Sequence, residues 1–106
     1  MEIDTKGHAV LYANGDIDVA TSPSLHEALA RALEESDSVV LDVGGVHFVD
    51  SSGLSAFVWG QRSAQQAGGS LRIRRPSPML RRLLKVTALD SLLLIDDEAF
   101  PPPPEI

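Results

Sequence analysis

Apolar and polar residues along this chain follow two rhythms, and each rhythm predicts a kind of element. Residues 9–13, AVLYA, are apolar on both faces of an extended segment. They predict a buried strand that NGDID brings to a stop, with a shorter strand around residues 2–4 before it. Leu25, Ala28, Leu29, Ala32 and Leu33 fall at i, i+3, i+4, i+7 and i+8, one stripe of an amphipathic helix. Ser22 is its expected N-cap and Pro23 its first residue, where a missing N–H costs nothing. Glu27, Arg31, Glu34 and Glu35 take the opposite side. Residues 39–43, VVLDV, read as a strand covered on both faces.

After Gly44-Gly45 the stretch VHFVDSSGLSAF leads into a second helix, with Leu54, Phe57 and Val58 as its inward positions. That helix runs to about Ala67, and Gly68-Gly69 stops it. SLRIR, residues 70–74, alternates strictly, as a strand with one wet face does. Ser77-Pro78 caps and opens a third helix, with Leu80, Leu83 and Leu84 inward and Arg81, Arg82 and Lys85 outward. SLLLI, residues 91–95, predicts a last short strand or an apolar closing segment. Four consecutive prolines in the final PPPPEI cannot donate ladder hydrogen bonds, so an extended, disordered end is expected. The order β, α, β, α, β, α, β predicts an α/β single domain over residues 1–98. Its core is a mixed β-sheet of about four strands with packed α-helices as crossovers, and a proline-rich tail follows over 99–106.

Composition narrows the function classes. A chain of 106 residues supports one core. Fifteen acids against nine bases give a net charge of −6, the reverse of the balance that phosphate contacts impose on nucleic-acid binders. The absence of cysteine excludes disulfides and thiolate metal sites. No apolar run approaches the ~20 residues of a membrane-spanning helix. The first ten residues lack the basic and apolar regions of a secretion signal, so a cytoplasmic location is expected. His8, His26 and His47 are isolated, without metal-ligand spacing, and VGGVH lacks the lysine and serine of a phosphate-cradling loop. No cofactor or metal is expected.

The candidate chemistry sits in VDSSGL, residues 49–54. A nucleophilic serine needs a base oriented by an acid. D-S-S-G is not the G-x-S-x-G elbow, and His47 lies in the preceding strand, poorly placed to turn back to Ser51. Two readings remain from the residues alone. Ser51 or Ser52 caps the second helix and does nothing more, or one of them accepts a phosphoryl group. The second rests on position, because a helix N-terminus favours an anion and a phosphate there adds about −1.5 to −2 charges.

The segments NGDIDVATSPSLHEAL, VVLDVGGVHFVDSSGLSAF, AGGSLRI and SPMLRRLLKVTALDSLLLI together resemble the STAS domain, and within it the bacterial anti-sigma factor antagonists. The resemblance runs in register from about residue 7 to residue 95. It implies a regulator that is not itself an enzyme. The unphosphorylated form binds an anti-sigma factor that is a serine kinase, and so frees a sigma factor for transcription. Phosphorylation on Ser51 releases it, and a PP2C-type phosphatase resets it. The same resemblance assigns Asp16 and Asp18 of the G-D-I-D turn, with Asp50, Ser52, Gly53 and Leu54, to partner binding. Other roles on this fold are a stressosome component or the STAS partner of an ABC lipid-transport ATPase; a serine hydrolase is the remote alternative. Many members carry another glycine after Gly53-Leu54, where this chain has Ser55. Trp59, one turn on, is either a half-buried rim residue or an interface anchor. Arg72, Arg74, Arg75, Arg81, Arg82 and Lys85 form an acid-free stretch, expected to be the solvated side of the fourth strand and third helix rather than a site for an acidic partner or a membrane.

Overall fold

The computed structural model describes residues 2–96. Five strands, β1 (Glu2–Ile3), β2 (Ala9–Ile17), β3 (Ser38–Val49), β4 (Ser70–Arg74) and β5 (Leu94–Asp96), form one sheet in chain order. β1 pairs antiparallel with β2, and the remaining neighbours are parallel. The crossovers are α1 (Ser22–Glu35), α2 (Ser51–Gln66) and α3 (Pro78–Val86), with a 3-10 turn over Leu89–Ser91 after α3. The mixed α/β layer is the predicted architecture, with five strands instead of about four because the short N-terminal segment also pairs. The tail expected over 99–106 lies outside the described residues.

Two strands run further than their sequences suggest. NGDI does not stop β2, which continues to Ile17. Register shifts between Tyr12 and Asn14 and between Gly15 and Asp16 absorb the irregularity, and Gly15 takes a left-handed φ of 79°, a conformation that glycine adopts without strain. β3 likewise passes through Gly44-Gly45 to Val49. The two extensions stay paired to the end, with Ile17 opposite Val49. Whatever follows those residues therefore emerges side by side.

α1 and α2 cover one face of the sheet. Ala9, Val39, Leu41, Val43, Leu71 and Ile73 on that face join Leu25, Leu29, Ala32, Ala56 and Phe57 in one core. Leu80 and Leu84 of α3 complete it, as the sequence stripe predicts, while Leu83 is only half-buried. The inward side of α2 differs from the expected Leu54, Phe57 and Val58. It is Gly53, Ala56, Phe57, Gly60, Gln61 and Ala64, small residues that let the helix approach the sheet; Leu54 and Val58 sit half-buried at its margin. Gln61, 2% exposed, accepts from the Leu71 amide at 2.7 Å and donates to the Leu92 carbonyl at 3.1 Å. It ties α2 to β4 and to the segment before β5.

The basic stretch is not uniformly solvated. Asp42, 1% exposed, points to the face turned from α1 and α2, where it would be an isolated buried charge. Arg74 Nε donates to it at 3.0 Å, the Arg75 guanidinium at 3.0–3.1 Å, and the Gly44 amide at 2.9 Å. Burial alone would raise the Asp42 pKa, but these donors and the Arg75 charge hold it below the usual aspartate range. Arg74 lies 5.6 Å over the Tyr12 ring, a stacking contact that favours guanidinium over ammonium.

Candidate functional site

Paired Ile17 and Val49 deliver two turns to the same edge of the molecule. After Ile17 comes the turn Asp18–Thr21, closed by Asp18. Its Oδ1 accepts from the Ala20 amide at 3.0 Å and the Thr21 amide at 3.1 Å. Its own amide donates to Thr21 Oγ1 at 2.9 Å, and that hydroxyl donates to the Asp16 carbonyl at 2.8 Å. Asp18 thus shapes the entry to α1, a task predicted for Ser22. Ser22 is instead the first helical residue, buried, and Pro23 the second. Thr21 was not singled out in the sequence; the D-x-x-T spacing of a side-chain-closed turn was its only signal.

After Val49 comes Asp50, and the two turns are stitched together. The Asp50 amide donates to the Ile17 carbonyl at 3.1 Å. Asp50 is the N-cap of α2, its Oδ1 accepting from the Ser52 amide at 2.9 Å, the Gly53 amide at 3.3 Å and the Ser52 hydroxyl. The Ser52 hydroxyl is the main influence holding the Asp50 carboxyl below the usual range. Partial burial opposes it, and the Gly53, Ser52 and Val19 amides add to it. The capping role expected of Ser51 or Ser52 therefore belongs to Asp50.

Ser51 is the first residue of α2, and it is exposed. Among the described residues its hydroxyl has no hydrogen-bond partner. Ser52 is half-buried and committed to Asp50, Gly53 is buried, and Leu54 is half-buried against the core. Asp16 is exposed on β2 and Asp18 half-exposed beside it. Between the two turns Val19 stands 77% exposed, an apolar tip that the polar NGDIDVAT pattern hid. All six residues predicted beside Ser51 therefore lie on its own turn or on the neighbouring strand end.

Trp59 lies two turns along α2 from Ser51, with its ring centroid 4.9 Å from that of His26 on α1 and tilted by 51°. At 38% exposed it is a rim residue held by a neighbouring ring. His47 is exposed on β3 near α3 and forms no hydrogen bond to either serine. No group of three or more His, Cys, Asp or Glu among the described residues could hold a metal. No helix among them is long and apolar enough to cross a membrane.

Known proteins resemble this chain in sequence and fold. The family profile described as "Mlab, STAS domain" matches residues 1–95. The anti-sigma-B factor antagonist of Bacillus subtilis (strain 168) is 33% identical over 79 residues, covering 74% of this chain and 72% of that protein. The crystal structure of an anti-sigma factor antagonist from Mycobacterium paratuberculosis aligns with a TM-score of 0.76 at 27% identity, over 87% of this chain and 79% of that one. The Bacillus cell fate determinant SpoIIAA in its phosphorylated form shares the fold, with a TM-score of 0.65 at 18% identity over 85% and 83% of the two chains. The chain belongs to the STAS domain family and groups there with the anti-sigma factor antagonists.

Proposed function

We propose that this chain is an anti-sigma factor antagonist that switches partners through Ser51. Unphosphorylated, it binds a serine-kinase anti-sigma factor by the surface that Asp16, Asp18, Val19, Asp50 and Ser51 share. In the kinase site Ser51 Oγ attacks the γ-phosphorus of ATP. The bond from that phosphorus to the β–γ bridging oxygen breaks, ADP leaves, and the serine proton passes to a base of the kinase. A PP2C-type phosphatase hydrolyses the phosphoserine and resets the chain.

One observation carries the assignment: of two adjacent hydroxyls, Ser51 alone is exposed and uncommitted, while Ser52 is held by Asp50. The relatives' names support the partner class, and the phosphorylated form of SpoIIAA supports the modification. The charge change is also in the right place for release. The Ser52 and Gly53 amides, which a phosphate at a helix start would draw on, already serve Asp50. A phosphate on Ser51 therefore projects outward beside the Asp50 carboxylate, and about −1.5 to −2 charges enter the contact.

Incubation with the organism's serine-kinase anti-sigma factor and ATP, followed by mass spectrometry, tests the reading. Phosphate is expected on Ser51, and Ser51→Ala is expected to bind the kinase without release by ATP. Phosphate on Ser52 would overturn the assignment. Co-purification with a lipid-transport ATPase and no phosphate on either serine would replace it with the subunit role.

A further inference from the structure

Among the described residues, a cluster of exposed apolar side chains lies outside the Ser51 turn, on α3 and the end of β3. Leu80 and Leu84 anchor that helix in the core. Met79, Leu83 and Val86 form a second stripe at i, i+4 and i+7, with Met79 70% and Val86 77% exposed. Phe48, 49% exposed, and Val49 from the end of β3 face this stripe, and Arg82 closes the rim. The result is a groove lined almost wholly by apolar atoms. Leu83 still packs partly against the core, whereas Met79 and Val86 at its ends are apolar surface that folding does not use. Exposed patches of this kind belong to interfaces.

Position and charge identify the occupant. Phe48 precedes Ser51 by three residues, so their Cα atoms are at most about 11 Å apart, and a partner reaching the hydroxyl meets the groove. From Met79 to Val86 the stripe spans ~10 Å, two helical turns, the length that i, i+4 and i+7 anchors of a partner helix would fill. α3 carries Arg81, Arg82 and Lys85 and no acid, in a chain of net charge −6. The matching helix is therefore acidic on its flanks. An anionic bilayer fits the same basic residues, but it would also meet the remaining negative surface, whereas a single helix covers the groove alone.

We propose that the Phe48–Met79–Val86 groove docks an acid-flanked amphipathic helix of the kinase, holding it while Ser51 enters the active site. This rests on Ser51 being the acceptor. The test is steady-state phosphorylation of the full chain by the kinase, comparing the unsubstituted protein with Met79→Ser/Val86→Ser and with Arg82→Glu. In the double variant KM for the chain is expected to rise about tenfold or more with kcat held within about twofold, an effect of one or two lost anchors. Arg82→Glu should raise KM and weaken its dependence on salt. All substituted positions are exposed, and unchanged circular-dichroism melting curves confirm folding. Unaltered KM in the double variant, with Ser51 still phosphorylated, overturns the groove and leaves the acceptor assignment standing. No phosphorylation of the unsubstituted chain overturns the assignment and the groove with it. Flotation with phosphatidylserine vesicles that is lost in the double variant, alongside unaltered KM, transfers the groove to lipid and overturns the helix.

Discussion

Asp50 separates two neighbouring hydroxyls by geometry alone, since it engages Ser52 and leaves Ser51 outside its reach. Asp18 is a harder residue, because the resemblance gives it a partner role while the structure gives its carboxylate two local donors, the Ala20 and Thr21 amides. Removing an acceptor from a helix entry costs about 1 kcal/mol. Asp18→Ala is therefore expected to melt several degrees lower and to bind the kinase more weakly, because the turn bearing Val19 loosens. Asp18→Asn retains one carbonyl acceptor for those amides, so it separates the two roles. Native melting with weakened binding assigns Asp18's charge to the partner, and recovery of both assigns it to the turn. Binding by calorimetry with a parallel thermal melt reads both quantities.

At the scale of elements, the helices and strand centres were legible because their apolar spacing is their cause. Leu25 to Leu33 and Leu80 to Leu84 repeat with the helix, and SLRIR repeats with the strand. What stayed hidden was strand continued through breaker residues, NGDI and Gly44-Gly45, whose pairing depends on the neighbouring strand rather than on their own propensity. The α2 face was hidden for a related reason. Gly53 and Gly60 carry no apolar signal and Ala56 and Ala64 a weak one, and their value lies in being small where a helix crosses a sheet. Gly53 shows this most sharply, since a Cβ there would come within 2.7 Å of both Ile17 Cγ2 and Val49 Cγ1 and 3.2 Å of the Ile17 carbonyl. These β-branched side chains are fixed in paired strands and cannot give way easily. Gly53→Ala is therefore expected to destabilise by about 1–2 kcal/mol, overpacking outweighing the small propensity gain in a first helical turn. It should also slow Ser51 phosphorylation by displacing the α2 start. A chemical denaturation curve and a kinase progress curve check the two halves.

Across the whole molecule, the sheet has one face packed by helices and another organised by charge. Tyr12, Asp42 and Arg74 lie in one cross-strand row over β2, β3 and β4, and Arg75 reaches the same carboxylate from a left-handed residue at φ 57°. The acid in VVLDV and the arginines after it were all visible in the sequence; their meeting depends on register, which a single chain does not display. Asp42, Asp50 and Asp4 all have pKa values lowered by their donors. The stability they confer is complete above the ordinary aspartate value of ~3.9 and is lost as pH falls through their lower native values. Asp42 has the most at stake, because its protonation leaves two guanidinium groups facing a neutral acid in a buried place. Arg74 and Arg75 are partly exposed and recover some hydration, so Asp42→Asn is expected to cost about 2 kcal/mol at pH 7. That cost should shrink as pH drops below 4, where the aspartate of the unfolded chain takes up protons that the native carboxylate, its pKa lowered, still refuses. Parallel urea unfolding of the two proteins between pH 7 and pH 3 measures it, and a pH-independent difference would remove Asp42 from the acid response.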